Sequence, residues 1–153
     1  MDSIDRHIVA LLRLNGRLSQ EQLARDVNLS RPAIHERIKR LQACGVIRGY
    51  AAVVDWDVWG QPLTAFIWVR TSGARCSEIG AGVMQLSDGN STVEECHRVT
   101  GDWCMFVKTH TASPLALQQL IDRIPDIPGV QATMTTLALS TLSIAADHQT
   151  RID

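Results

Sequence analysis

Apolar residues recur at helical spacing through three successive segments, and the period then shortens for most of the remaining chain. Ile4, Ile8, Leu11, Leu12 and Leu14 form a broad stripe on a first predicted helix, capped by Asp2 or Ser3 and stopped by Asn15-Gly16. Leu23, Ala24 and Val27 mark a short second helix. There Ser19 and Gln22 have capping-box spacing, Leu18 and Leu23 can form a hydrophobic staple, and small Ala24 allows close approach. Ile34, Ile38 and Leu41 define a third helix. Ser30 caps it, Leu29 staples onto Ile34, Pro32 sits harmlessly in the first turn, and Gly45 supplies the left-handed stop. Only Asn28-Leu29-Ser30 separates the second helix from the third. Two short capped helices across so tight a turn, with another helix to bury them, spell a helix-turn-helix.

Residues 46–55 are rich in β-branched side chains without a helical stripe, which predicts a strand. Turn residues then fill 55–62 and mark a boundary. The near-continuous apolar run 63–71 predicts a strand buried on both faces, or covered on one by a partner subunit. A helix is expected over 76–86 with Ile79, Val83 and Leu86 inward, although Gly80 and Gly82 each cost about 1 kcal/mol relative to Ala. Strands follow at 92–100 and 103–109, joined through Thr100-Gly101-Asp102. Ser113 and Pro114 open a helix that buries Leu117, Leu120, Ile121 and Ile124, and Pro125 and Pro128-Gly129 close it. A Thr-rich strand over 130–142 and a flexible polar tail over 145–153 end the reading. The order strand, helix, strand, strand, helix, strand is that of a ferredoxin-like βαββαβ unit. The predicted class is therefore α+β. A (winged) helix-turn-helix domain at 1–50 leads through a strand linker at 51–61 to a ferredoxin-like domain at 62–144. Such a sheet leaves one face open, and a face carrying Phe66, Trp68 and Met105 calls for a second copy to cover it. Trp56, Trp59, Trp68 and Trp103 lie outside the head and suit hinge and interface packing.

Charge adds a polarity that the net value of −1 conceals. Residues 1–50 carry nine Lys/Arg against five Asp/Glu, and residues 51–153 carry six against eleven. A head at +4 on a body at −5 points one end towards a polyanion, and the helix-turn-helix makes that double-stranded DNA. On the third helix Arg31, Pro32, His35, Glu36 and Lys39 lie nearest the base edges. Ser30, Arg37, Arg40 and Arg48 serve phosphates or hold the helix in place. A merely solvated basic face is the alternative. Cys44, Cys76, Cys96 and Cys104 show no metal-ligand spacing and read as reduced thiols; Cys96 and Cys104, on adjacent strands, could be neighbours, and packing suits such a pair better than a redox switch. Glu94, Glu95 and His97 raise the question of a metal. On a regular strand Glu94 points away from the other two, so a hydrogen-bonded His97 fits better. No nucleophile elbow, phosphate loop or zinc motif occurs, so neither catalytic nor metal residues are assigned. No secretory signal and no spanning apolar run is seen, and a cytoplasmic protein is expected.

The combined order resembles the Lrp/AsnC (feast/famine) family of transcriptional regulators. The likeness runs through Ile4-Asp5-Arg6, Gly16-Arg17-Leu18-Ser19, Leu23-Ala24 and Leu29-Ser30. It continues through Glu36-Arg37-Ile38-Lys39-Arg40-Leu41 and Gly45-Val46-Ile47-Arg48-Gly49-Tyr50. In the body, Glu95-Cys96-His97-Arg98-Val99-Thr100-Gly101-Asp102-Trp103 and Pro128-Gly129-Val130 with Thr133 and Thr135 are similar to the family's signature. The resemblance implies a homodimer built through the body and assembling to an octamer, a tetramer of dimers. It also implies no cofactor but a small effector, an amino acid or a relative of one. Carried over, the effector residues are Gly101, Asp102 and Trp103 of one subunit with Gln131, Thr133 and Thr135 of a neighbour. Where many relatives place a second acidic residue after the Asp102 position, this chain has Cys104. An architectural DNA-binding protein with little selectivity, or a small ferredoxin-like enzyme, stands as the contrasting reading.

Overall fold

A computed structural model describes residues 1–72 and 75–141. The described chain divides into two compact units that part between Val53 and Val54. The first unit holds three helices, α1 (Ser3–Leu14), α2 (Gln20–Asp26) and α3 (Arg31–Ala43). Ile8, Leu23, Ala24, Ile34, Ile38 and Leu41 form its core, with Ile4, Leu11, Leu12, Leu18, Leu29 and Ile47 packed around them. Leu14 departs from the expected stripe and is 78 % exposed. It lies at the last residue of α1, past the reach of the short α2. Asn28 adopts a left-handed φ of 53°. Leu29 N–H then donates to the Ala24 carbonyl at 3.0 Å and Asn28 N–H to the Arg25 carbonyl at 3.3 Å. That is a Schellman closure, and it makes the turn between α2 and α3 tight without glycine.

Two carboxylates, Asp2 and Asp5, tie α3 to the start of α1. Asp2 and Asp5 cap α1 reciprocally, each accepting from the other's amide, at 2.8 and 3.1 Å. Arg37 Nη1 donates to Asp2 Oδ2 and to Asp5 Oδ1, both at 2.7 Å. Arg40 Nη2 donates to both Asp5 oxygens at 2.9 Å. Asp5 is 1 % exposed, so all of this charge is met by protein rather than water.

The second unit opens with a short helix, α4 (Trp56–Trp59), capped by Asp55 and ended by Gly60 at φ +88°. Then follow β1 (Leu63–Thr71), α5 (Cys76–Met84), β2 (Ser91–Arg98), β3 (Met105–Thr111), α6 (Pro114–Arg123) and β4 (Val130–Leu137). The strands form one antiparallel sheet in the order β2-β3-β1-β4, which is the expected ferredoxin-like topology. Ala65, Ile67 and Val69 of β1 with Met105 and Val107 of β3 face the helices. There they meet Ile79, Val83, Leu120 and Ile124 in a dry core. A Cβ at Gly80 would stand 3.5 Å from both Cys96 Sγ and Met105 Sδ, an ordinary van der Waals contact. On the opposite face Phe66 stacks on Phe106 at 5.4 Å and Trp68 meets Phe106 edge-on at 4.8 Å.

Several expectations need correction. Residues 46–55 contain no strand. Their β-branched content cannot hold one without a neighbour to take the backbone hydrogen bonds, and Val53 is fully exposed. Met105 is fully buried and registers with Val69 on the helix face. Phe106 takes the place on the open face foreseen for Met105. Glu94 does not point away from its neighbours: it is the extra residue of a bulge between Val93 and Glu95. Its carboxylate accepts from Lys108 Nζ at 2.7 Å and pairs with His110 Nε2 at 2.8 Å. Glu95 meanwhile pairs with His97 at 2.8 Å. The final strand ends at Leu137 rather than 142, and the tail 145–153 lies outside the described residues.

Two stability outcomes follow. Ile34→Ala removes a fully buried side chain at the centre of the head and should cost about 2–5 kcal/mol in urea denaturation followed by circular dichroism. Arg37 chiefly, with the Asp5 amide, lowers the Asp2 carboxyl to about 2. Burial pushes Asp5 up, but the Asp2 amide, Arg37 and Arg40 outweigh it and leave it lowered. Depressed carboxylates stabilise the fold above their ordinary range near ~4 and lose that contribution as they protonate. Head stability should therefore decline between about pH 4 and pH 2. Asp5→Asn should melt lower at neutral pH and show a shallower acid slope in thermal scans.

Candidate nucleic-acid interface and effector site

Interior and exterior alternate along α3 with helical period, and the exterior separates into two kinds of cation. Ser30 Oγ accepts from Ala33 N–H at 3.4 Å, so its side chain is a cap. Beyond it Arg31, Pro32, His35, Glu36, Lys39 and Arg40 are exposed, as is Arg48 past the helix. Among the described residues Arg31, Glu36, Lys39 and Arg48 enter no ion pair, so their charge is directed at solvent. Arg37 is different. Its side chain is only 22 % exposed and its guanidinium is spent on Asp2 and Asp5. Of the two roles left open by the sequence, holding the helix is the one its contacts fill. Arg40 shares that duty but keeps 60 % of its side chain in solvent, enough to meet a phosphate as well. Gln20 Nε2 lies 3.2 Å from His35 Nδ1, which links the start of α2 to the outer face of α3. With Gln20 as donor, His35 turns its Nε2–H outward. That link was not read from the sequence.

In the second unit five of the six effector candidates lie towards one end of the sheet and Thr135 at its middle, opposite Ile67. Gly101 takes φ +113° in the hairpin between β2 and β3. The hairpin is fastened by Val99 N–H donating to the Cys104 carbonyl at 3.0 Å and Cys104 N–H to the Val69 carbonyl at 2.9 Å. Asp102 is exposed and Trp103 half-buried, and the Arg70 guanidinium carbon lies 5.5 Å from the Trp103 ring centroid. Arg70 falls between buried Val69 and Thr71, so it and Trp103 occupy the open face. Thr133 and Thr135 register with Val69 and Ile67 and belong to the helix face. Gln131 is the extra residue in a bulge opposite Arg70 and Thr71 and is exposed. Beside the turn into β4, Arg75, Glu78, Ile79, Ile127 and Pro128 line a cleft of about 310 Å³. Gly129 beside it has φ +101°, and a Cβ there would meet Ile79 at 3.0 Å. Arg70 was missed by sequence reasoning, although a lone charge in the apolar run 63–71 was its signal.

The remaining polar cluster lies on the open face. Trp56 stacks on His110 at 4.1 Å between centroids, and His110 Nδ1 is 3.1 Å from Thr64 Oγ1. Burial pushes the Glu94 carboxyl up, but Lys108 and His110 outweigh it and leave it lowered. Among the described residues no three His, Cys, Asp or Glu side chains converge as a metal site. None of their helices is long and apolar enough to cross a membrane.

Comparison with known proteins agrees with this division. Residues 1–42 match the AsnC-type helix-turn-helix domain, and residues 64–146 match the Lrp/AsnC ligand binding domain. The HTH-type transcriptional regulator FL11 of Pyrococcus abyssi is 32 % identical over 141 residues, covering 92 % of this chain and 91 % of its own. The leucine-responsive regulatory protein of Haemophilus influenzae is 32 % identical over 143 residues, covering 91 % and 84 %. Among solved structures, the feast or famine regulatory protein of Mycobacterium tuberculosis complexed with L-methionine superposes with a TM-score of 0.82. It is 30 % identical and covers 97 % of each chain. Both units, in this order and over nearly the whole described length, thus have the same counterpart, and the chain belongs to the Lrp/AsnC family of transcriptional regulators.

Proposed function

We propose that this chain is a cytoplasmic, sequence-selective DNA-binding regulator whose assembly responds to a small amino-acid-like effector. The observation that carries the reading is the partition of cations on α3. Arg37 is neutralised internally, while Arg31 and Lys39 stand exposed and unpaired among the described residues beside Pro32, His35 and Glu36. A helix entering the major groove needs such a face, with its N-terminal residues leading. Arg31, His35, Glu36 and Lys39 read base edges, Arg40 and Arg48 meet phosphates, and Ser30 and Arg37 keep the helix in shape.

The open sheet face, with Phe66, Trp68, Phe106 and half-exposed Met134, supports a homodimer through the body. The dimers assemble further to an octamer, a tetramer of dimers. An effector carboxylate and ammonium need amides, hydroxyls and an acceptor. Gly101, Asp102 and Trp103 of one subunit and Gln131, Thr133 and Thr135 of another offer them. The L-methionine complex of the M. tuberculosis relative supports an amino acid in this role. Binding between dimers shifts the assembly equilibrium, and with it the spacing of the heads.

Arg31→Ala should weaken binding to a preferred operator by about 1–3 kcal/mol and relax selectivity at one position, measured by fluorescence anisotropy against a panel of duplexes. An equal loss on every sequence, with steep salt dependence throughout, would support the architectural reading instead. Asp102→Ala should abolish the change in assembly that an amino acid causes in analytical ultracentrifugation, while dimer affinity for DNA is kept. Unfolding of that variant would make Asp102 structural and overturn its effector role.

A further inference from the structure

Sulfur is gathered on the helix side of the sheet. Cys76, Met84, Cys96 and Met105 line a cavity of about 260 Å³ between α5 and β2. The pair with a common neighbour, however, is not Cys96 with Cys104. Cys96 registers with Val107 inside the ladder, whereas Cys104 precedes β3. Cys104 and Cys76 instead share a neighbour, Thr71. Thr71 Oγ1 lies 3.4 Å from Cys76 Sγ, and Cys104 Sγ donates to the Thr71 carbonyl at 3.9 Å.

We propose that Cys104 and Cys76 are a dithiol pair that a hydroperoxide converts into an intrachain disulfide, fastening the β2–β3 hairpin to the first turn of α5. The two sulfurs have unlike surroundings, as an attacking and a resolving thiol require. Cys104 is half-buried and reachable by a small oxidant. Its surroundings, Thr71 chiefly and then Cys76 and Arg98, hold it below the ordinary thiol range, against a smaller push from burial. Cys76 is 6 % exposed and is the first residue of a nine-residue helix, withdrawn from solvent. Cys96 is pushed up by burial and so is the poorer nucleophile.

The chemistry balances with one equivalent of hydroperoxide. The Cys104 thiolate attacks the terminal peroxide oxygen and the O–O bond breaks. The alkoxide takes up the thiol proton and departs as alcohol, leaving Cys104 as a sulfenic acid. The Cys76 sulfur then attacks the sulfenic sulfur. Hydroxide leaves with the Cys76 proton as water, and the S–S bond remains. Two thiols have given two electrons to one peroxide. Because Cys104 follows Asp102 by two residues, the bond restrains the hairpin proposed to hold the effector. That consequence rests on the proposed function, whereas formation of the bond does not.

The test uses the full chain carrying Cys44→Ser, which removes the exposed thiol of the head without touching the pair. After hydrogen peroxide and alkylation, mass spectrometry without reductant should find the loss of two hydrogens and a peptide joined through Cys76 and Cys104. Dithiothreitol should reverse both. Adding Cys76→Ser should leave Cys104 as a sulfenic acid that dimedone captures. A dimedone adduct on Cys104 while Cys76 is present and still a thiol would overturn the proposal. So would linkage through Cys96, or four alkylated thiols in the unsubstituted chain at peroxide levels that oxidise free cysteine. Amino-acid binding by the oxidised and reduced chain, read by thermal shift, reports separately on the effector reading. A disulfide with unchanged ligand response would sustain the covalent site and remove only its regulatory consequence.

Discussion

A carboxylate withdrawn from water must be answered by the protein, and Asp5 is answered from three directions. The Asp2 amide, Arg37 and Arg40 all converge on it. This is costly to desolvate and costlier still to leave half-paired, so its value lies in geometry more than in net stability. A hydrophobic contact tolerates small rotations of α3 against α1. A carboxylate shared by two guanidiniums on one helix does not, because turning α3 loses the donors one after the other. The stripe of Arg31, His35 and Lys39 is thereby held at a fixed azimuth on the head. Its cations remain exposed because other arginines of the same helix balance the acids of α1.

The second unit is governed by the two-residue period of its strands. One set of side chains makes the dry core with α5 and α6; the alternate set makes a face of stacked aromatics and the Trp56–His110–Glu94–Lys108 cluster. Bulges interrupt this rule at two residues, and each exception carries polar chemistry. Glu94 is brought round to Lys108 and His110, and Gln131 is released from pairing beside Arg70. A bulge spends a ladder position to re-aim a side chain.

Helices and their caps were almost fully legible in the sequence, because their causes are local. Ser19 with Gln22, Ser30, and Ser113 with Pro114 each act within one turn and hold the roles expected of them. The order of the strands was legible too, since β1 occupies the predicted 63–71 and the others differ by a few residues. What failed depended on distant partners. The run 46–55 has strand composition but finds no partner strand among the described residues. The connection between β2 and β3 is four residues longer than expected, the register sets Met105 opposite Val69 on the helix face, and neither bulge leaves a mark in composition. The site residues divide in the same way. Exposure of Arg31 and Lys39 follows from helical period alone. The commitment of Arg37 to Asp2 and Asp5, more than thirty residues away, does not.

The separation of the effector candidates follows from the same strand period. Trp103 and Arg70 are on the open face, while Thr133 and Thr135 are on the helix face of the edge strand β4. A molecule the size of an amino acid cannot reach around a strand to touch both sets in one chain. Under the proposed function, then, the chain supplies two half-sites of different chemistry. The hairpin half offers the Asp102 carboxylate and, beside Trp103, the Arg70 guanidinium, whereas the threonine half offers hydroxyls that can donate or accept. Affinity for the effector would exist only where the hairpin of one chain meets the β4 edge of another, which makes ligand binding and assembly one equilibrium rather than two events in sequence. An effector that completes such a site needs no conformational signal passed through the sheet core. It acts by its differential affinity for assembled over separated chains, and β4 lies at the sheet edge where another chain can approach.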